Sequence, residues 1–218
     1  MSYSIYADIP DNFLEIYLGK KEIAIDTELH GLRLFRDEVC LIQVCDDMKN
    51  VCLVKPDKKI KPKNLERLLT DNDVIKVFHF ALTDVAFLKT SLKIDVTPFR
   101  CTKVMSKLIR TYTNGHGLKD ISLELFGKDL QKGQQQTNWA SDNLTERQLE
   151  YAANDVLELV KIYKILEQML EDRAQLSTGK TVKELNIQAQ ATIPTLVDLI
   201  IHGYGVNTGG WDIDLFSH

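Results

Sequence analysis

Four short runs of apolar and β-branched residues come early in the chain and constrain its fold class. They are EIAIDTEL (22–29), VCLIQVC (39–45), VCLV (51–54) and VIKVFHF (74–80), and polar or turn-forming segments separate them. Runs of this length and composition predict β-strands. The first three are close enough in sequence to pair as a meander, and the fourth leads directly into a helical segment, ALTDVAFLKTSL.

From Cys101 onward the sequence is mostly helical. The segment 145–176 begins with a capping box, Thr145 and Gln148, and keeps apolar residues at the helical period, which predicts one long helix. Strands followed by helices indicate an α/β fold, a mixed sheet of about five strands with helices packed on it. We expect one domain over residues 1–176 and a C-terminal helical extension over 177–218, where Pro194 should kink or restart the helix.

Composition narrows the possible partners. The formal net charge is −4, whereas a protein that coats long nucleic acid usually carries a basic excess, because its affinity comes largely from displaced counterions. A nucleic-acid substrate should therefore be short, or be held by metals and local patches.

The start lacks a basic region followed by an apolar run, no stretch approaches a membrane span, and the four cysteines lack C-x-x-C spacing. We expect a cytoplasmic protein with no membrane partner.

Asp26 and Glu28 lie two residues apart in the first predicted strand. Residues i and i+2 of a strand share a face, so both carboxylates should project together while Ile23 and Ile25 face the other way. Two adjacent carboxylates repel each other unless a cation neutralises them or one takes a proton. A metal site is one interpretation, and a solvated edge strand is the alternative.

Two further acids occur in distinct helical contexts. Asp84 should fall in the first turns of a helix that follows a strand, where it either complements the helix dipole or lies at a site at the strand end. Tyr151 and Asp155 are four apart and share a helix face. Taken alone, Tyr151 is as readily interpreted as a core aromatic residue with a satisfied hydroxyl.

Together the motifs IDTEL, FHFALTD and YAANDVLEL resemble the DEDD superfamily of 3′→5′ exonucleases, in the subclass with a tyrosine in its third motif. Within it, the segments 101–121, 132–140 and 210–218 resemble nanoRNase C, a bacterial family related to ribonuclease D that degrades dinucleotides. The resemblance covers nearly the whole chain and departs most between about Thr178 and Gly209. It implies a ribonuclease H-like exonuclease fold.

The resemblance also implies roles for individual residues. Asp26, Glu28, Asp84 and Asp155 would hold two divalent cations, Mg²⁺ or Mn²⁺, which suit hard oxygen ligands. Tyr151 would orient the attacking water, because a phenol with a pKa near 10 is a poor base at neutral pH.

Substrate contacts are expected from residues near the first two motifs. Leu32 falls where the family places an apolar wedge between the two bases; the alternative is a turn residue tucked into the core. His79 would contact the terminal ribose or phosphate, or else be a buried strand histidine bonded to backbone. Thr27 and Leu29, beside Glu28, complete the expected contacts, and His116 is a candidate for a flexible loop on the phosphate side.

Two other features are less specific. Lys103, Lys107 and Arg110 have the spacing of one helical stripe, either simply solvated or binding a 5′ phosphate. Gln134, Gln135, Gln136 and Trp139 lie in a segment that the resemblance places near the active site.

The leading hypothesis is a metal-dependent 3′→5′ exoribonuclease for the last step of RNA decay. It would hydrolyse short oligoribonucleotides, especially dinucleotides, to nucleoside 5′-monophosphates. The alternatives are ribonuclease D-like trimming of longer RNA or single-stranded DNA, and a non-catalytic oligonucleotide-binding scaffold. By resemblance the chain would form a ring-like homo-oligomer, an octamer, with residues 177–218 contributing contacts.

Overall fold

A six-stranded mixed sheet forms the centre of the molecule. The computed structural model describes residues 3–57, 59–129, 137–173 and 175–203. The strands are β1 (Ile5–Tyr6), β2 (Glu22–Leu29), β3 (Val39–Cys45), β4 (Val51–Val54), β5 (Ile75–Phe78) and β6 (Phe99–Cys101), in the spatial order β1-β4-β3-β2-β5-β6. Strands β2, β3 and β4 form the antiparallel meander, and β5 joins β2 in parallel.

Eight helices are found in the described part of the chain. They are α1 (Asp11–Leu18), α2 (Lys63–Thr70), α3 (Ala81–Ser91), α4 (Thr102–Ile109), α5 (Leu118–Phe126), α6 (Glu146–Leu157), α7 (Leu159–Glu171) and α8 (Val182–Ile201). The α/β prediction is confirmed, with two short strands, β1 and β6, bringing the sheet beyond the expected five.

Each face of the sheet has its own apolar core. Side chains alternate between these two faces along β2, and this alternation decides on which face the site lies. Ile23 and Ile25 pack with α1, α2, α3 and α8 on one face. Ala24 packs on the other face with α4, α5 and α7. Because side chains alternate along a strand, Asp26 and Glu28 follow Ala24 on that second face, where α6 also contacts β2.

The expected single helix over 145–176 is wrong in one respect, since it breaks at Glu158. This residue leaves helical geometry at φ −110° and ψ −1°, and its buried carboxylate ion-pairs with Lys49 and Lys128. The break lets α6 contact β2 and β3 while α7 packs on β5 and α4. The capping box at Thr145 and Gln148 is present as predicted.

The C-terminal helix also differs from expectation, because α8 continues through Pro194 instead of restarting there. Ala189, Ile193 and Val197 recur every four residues and bury one stripe of α8 in the core beside α3. This packing on both sides of Pro194 maintains the helix. Residues 204–218, which include the terminal GWDIDLFSH, lie outside the described residues.

Two sequence expectations concern the environment of the protein. All four cysteines are buried free thiols. In the described part of the chain, no helix is long and apolar enough to cross a membrane.

Candidate active site

The five predicted catalytic residues line one cavity of about 340 Å³. Asp26 and Glu28 come from β2, Asp84 from the first turn of α3, and Tyr151 and Asp155 from α6. Residues separated by up to 129 positions thus meet because α6 lies across β2 and α3 starts where β5 ends.

Three of the acids are close enough to share an ion. Carboxylate oxygens of Asp26, Glu28 and Asp155 all lie within 4.8 Å of one another. Asp84 lies beside them and accepts a 2.6 Å hydrogen bond from the Thr27 hydroxyl. The donor set consists entirely of hard carboxylate oxygens, which suits Mg²⁺ or Mn²⁺ better than a softer transition metal.

Burial and mutual repulsion disfavour the ionised forms of these acids. Desolvation raises the pKa of Asp26 to about 7 and, with the charge of Asp26 adding to it, raises the pKa of Asp155 to about 8. Desolvation and the three other carboxylates raise the pKa of Glu28 to about 10, and the pKa of Asp84 is also well above its usual value. The cluster is therefore fully ionised near neutral pH only if added positive charge stabilises it, so the residues fit a divalent metal site.

Tyr151 lies half-buried against Asp155, and its ring packs on the buried Trp139 with centroids 6.2 Å apart. Desolvation first, and then the charges of Asp155, Glu28 and Asp26, raise the pKa of its phenol above the usual value. The hydroxyl thus stays protonated throughout the physiological range and can donate a hydrogen bond, but it cannot serve as a base.

Leu32 lies on the rim of the cavity and is 74% exposed, so its interpretation as a turn residue tucked into the core is wrong. Asp37 organises the turn around it. Its carboxylate accepts a 2.9 Å hydrogen bond from the Arg33 backbone N–H and two from the Arg36 guanidinium, at 2.6 and 2.7 Å. A Cβ on Gly31 would lie 2.3 Å from the Asp37 carboxylate, so a larger residue there would push that carboxylate away from its bonds to Arg33 and Arg36.

The remaining predicted substrate contacts divide into two groups. Leu29 and Thr27 line the cavity, and Thr27 holds Asp84 by the bond described above. His79 also lines it, but its Nδ1 lies 2.9 Å from the Thr102 hydroxyl, which in turn donates to the Phe78 carbonyl. Burial lowers the pKa of His79 to about 3, so the imidazole is neutral and lacks the charge for an ionic phosphate contact.

The predicted basic stripe is wrong, because α4 ends at Ile109 and Arg110 is only 1% exposed. The Arg110 guanidinium donates to Ser106 and to the Gly115 carbonyl, and ion-pairs with Glu124 at 2.5 Å. Lys103, from the same predicted stripe, lines the cavity instead.

His116 does not line this cavity. Its Nδ1 lies 3.0 Å from the Ser106 hydroxyl, which ties the loop before α5 to α4. Gln134, Gln135 and Gln136 lie outside the described residues.

Among the residues that the sequence reasoning missed, Phe80 lines the cavity and Gln43 lies next to Asp26 in the sheet. Phe80 adopts a left-handed conformation, φ 79°, at the start of α3, and the Lys103 ammonium lies 4.4 Å from its ring centroid. A bulky residue in that conformation is strained, and such strain clusters at functional sites. Gln43 lies directly opposite Asp26 on β3, and within the described residues its buried amide has no hydrogen-bond partner. No local pattern in FHF or LIQV marks either property.

Fold and site together define the class: an α/β domain in which four acids and one tyrosine from two faces of a cleft meet has the architecture of the DEDD 3′→5′ exonucleases. The sequence profile of a 3′-5′ exonuclease family matches residues 6–171. The chain therefore belongs to this 3′-5′ exonuclease family, in its ribonuclease D-like branch, and the predicted family is confirmed.

Individual relatives agree with this assignment. Ribonuclease D of Cronobacter turicensis is 30% identical over 157 residues, which are 70% of this chain but 41% of that protein. The chain thus spans less than half the length of that relative. The structure of Brucella melitensis NrnC with bound Mg²⁺ is 33% identical, with a TM-score of 0.82 over 96% of this chain and 100% of that one. The same protein bound to pGG is 34% identical, with the same TM-score and coverage.

The raised pKa values predict how stability depends on pH in the absence of metal. The folded protein keeps protons that the unfolded chain releases above its ordinary carboxyl pKa of 3.8–4.5, so the free energy of unfolding should fall as the pH rises from about 4 to about 8. In EDTA, Asp26→Asn should unfold at pH 8 about 3 °C or more above the wild type, because roughly 1 kcal/mol shifts the Tm of a chain this long by 2–4 °C.

Thermal unfolding followed by fluorescence between pH 5 and 8.5 measures this effect. Mg²⁺ should raise the wild-type Tm but leave that of Asp26→Asn nearly unchanged. Asp73→Asn, the same substitution at an exposed position, is the matched control. A metal-free wild-type Tm that stays level or rises over this pH range would contradict the electrostatic account.

Proposed function

We propose that this chain is a metal-dependent 3′→5′ exoribonuclease that hydrolyses short oligoribonucleotides, especially dinucleotides, to nucleoside 5′-monophosphates. The convergence of Asp26, Glu28 and Asp155 within 4.8 Å carries the proposal, since such a cluster is adapted to a cation. Its similarity over the full length of Brucella melitensis NrnC, solved both with Mg²⁺ and with pGG, supports the metal and the substrate class.

Four carboxylates would hold the metal. Asp26 would contact two ions, Glu28 and Asp155 would help to hold one of them, and Asp84 would act mainly on the other. Two divalent cations bound there supply charge neutralisation on the phosphate, activation of the attacking water and stabilisation of the leaving 3′-oxygen. The Thr27 hydroxyl fixes the orientation of Asp84 by its 2.6 Å hydrogen bond.

Tyr151 positions the attacking water. Its neutral hydroxyl donates to the Asp155 carboxylate beside the Trp139 ring, and its oxygen can accept a hydrogen bond from the attacking water and so orient that water toward phosphorus. The water oxygen bonds to phosphorus and its proton passes to solvent, while the bond from phosphorus to the 3′-oxygen breaks and the 3′-oxygen takes up a proton from solvent. The products are a nucleoside 5′-monophosphate and an RNA shortened by one residue.

Tyr151→Phe should keep the metal site, because no carboxylate changes, and should lower kcat about 100-fold or more, the usual cost of removing one positioned hydrogen-bonding group from an active site. Single-turnover kinetics at saturating RNA, together with Mn²⁺ titration, separate these two effects. Unchanged kcat would remove Tyr151 from the mechanism.

Leu32 would separate the bases of the last two nucleotides. An exposed leucine held on an ordered turn beside the acids can insert between bases with little cost in rearrangement. Burying about half of such a side chain stabilises the complex by roughly 1–1.5 kcal/mol.

Leu32→Ala should therefore raise KM for a dinucleotide about tenfold, since 1.4 kcal/mol corresponds to a factor of ten. The Tm should stay the same, because the side chain is already 74% exposed. Leu123→Ala, the same substitution at another exposed leucine that does not line the cavity, is the control. A lowered Tm with unchanged KM would contradict the wedge role.

Assembly into a homo-oligomeric ring, an octamer, is part of this proposal, as is an oligomer contact from residues 177–218. A closed ring would admit only short RNA to the active site, and the net charge of −4 agrees with a short substrate. Light scattering at micromolar concentration should give about eight times the chain mass, and a lone monomer would contradict this part.

Substrate length tests the function itself. With Mg²⁺ and 5′-labelled RNAs of two, three, seven and twenty nucleotides, the short RNAs should be degraded rapidly and the twenty-mer slowly, with Asp26→Ala inactive. Comparable stepwise shortening of the twenty-mer would instead indicate ribonuclease D-like trimming. If no RNA is cleaved above the Asp26→Ala background, only the oligonucleotide-binding scaffold remains.

A further inference from the structure

A second cavity of about 440 Å³ lies beside the catalytic one. Its walls come from the ends of β2 and β3, from the segment 55–62 after β4, and from the end of α3. The volume is within the range of natural ligand sites. None of the catalytic residues lines it.

The walls of this cavity are unusually basic for this chain. The segment 55–63, KPDKKIKPK, carries five lysines and one acid in a protein whose net charge is −4. Of the described residues, four lysines (Lys55, Lys59, Lys61 and Lys93) and two acids (Glu38 and Asp57) line the cavity.

Most of this positive charge is not neutralised by acids. Lys55 donates to the Ser141 carbonyl and Lys93 donates to the Thr90 carbonyl at 2.7 Å, so both ammonium groups are hydrogen-bonded but keep their charge. Lys61 pairs with Glu66 at the surface, where such a pair contributes little. An anionic ligand is therefore favoured.

Apolar surface alternates with the lysines. Val39, Cys40 and Leu92 line the cavity, and Ile60 lies at its edge with 66% of its surface exposed. A ligand with flat apolar groups between phosphates, such as RNA, matches this mixture, since lysines contact phosphates while bases contact apolar walls.

The two cavities are neighbours along the same elements. Leu29 and Leu32 line the catalytic cavity, and His30 between them lines the second. Helix α3 presents Asp84 to the first cavity and Ser91 to the second. Seven residues of helix separate these two, about 10 Å along the axis.

We propose that the second cavity binds the 5′-side nucleotides of an oligoribonucleotide whose 3′ end occupies the catalytic cavity. The strand passes Leu32 and places its upstream phosphates among Lys55, Lys59, Lys61 and Lys93. This inference rests on the proposed function and extends it: RNAs of more than two or three nucleotides gain affinity from a site that a dinucleotide does not reach.

The test compares two double variants that remove the same charge. Lys59→Gln/Lys61→Gln alters the second cavity, and Lys161→Gln/Lys164→Gln alters exposed lysines on α7, outside both cavities and outside residues 177–218. The first variant should raise KM for a seven-mer about tenfold and leave KM for a dinucleotide unchanged. In the first variant, the slope of the logarithm of the seven-mer binding constant against the logarithm of salt concentration should also become less negative by about 0.7 for each lost phosphate contact. The second variant should change neither KM.

Equal effects on both RNA lengths, or none on the seven-mer, would overturn the inference. Binding of a labelled seven-mer, measured by fluorescence anisotropy in EDTA, tests the cavity without catalysis. A wild-type protein that binds the seven-mer through Lys59 and Lys61 but cleaves nothing would contradict the proposed function while supporting this inference. If both double variants bind the seven-mer equally weakly by anisotropy, the lysines act only through nonspecific charge, and this would contradict the inference about the second cavity.

Discussion

Repulsion among four carboxylates that line one cavity is the interaction on which the rest of this structure depends. Glu28 and Asp84 are buried, Asp26 and Asp155 are half-buried, and desolvation raises the pKa of each. A chain selected only for stability would place apolar residues here, because a buried carboxyl group costs free energy unless it is paired. The site is therefore an unstable arrangement that the surrounding fold imposes and that bound cations relieve.

The fold imposes it by separating two cores. Residues of one parity along β2, such as Ile25, bind the strand to α1, α2, α3 and α8. The alternate side chains of β2 face the other side of the sheet: Ala24 packs in the second core, and Asp26 and Glu28 follow it. The packing of Ala24 therefore holds β2 in place beside the carboxylates that repel one another. The break at Glu158 then allows α6 to carry Tyr151 and Asp155 over β2 and β3, while α7 packs on β2, β5 and α4.

Much of this was predictable from the sequence because it depends on local periodicity. The strands 22–29, 39–45 and 51–54 have the predicted bounds, and the capping box at Thr145 starts α6. The errors have long-range causes. Arg110 is buried by its pair with Glu124, and Glu158 breaks its helix where it meets Lys49 and Lys128. The predicted strand 74–80 covers only Ile75–Phe78 in the structure, and the left-handed Phe80 follows it at the start of α3, a conformation that no residue pattern predicts.

The most direct test of the account is a count of bound metal ions. Titration with Mn²⁺ followed by electron paramagnetic resonance, in the presence of a non-hydrolysable dinucleotide, should show two ions per wild-type chain and almost none for Asp26→Asn at the same concentration. Full uptake by Asp26→Asn, or no specific uptake by the wild type, would contradict the claim that these acids converge in order to hold cations.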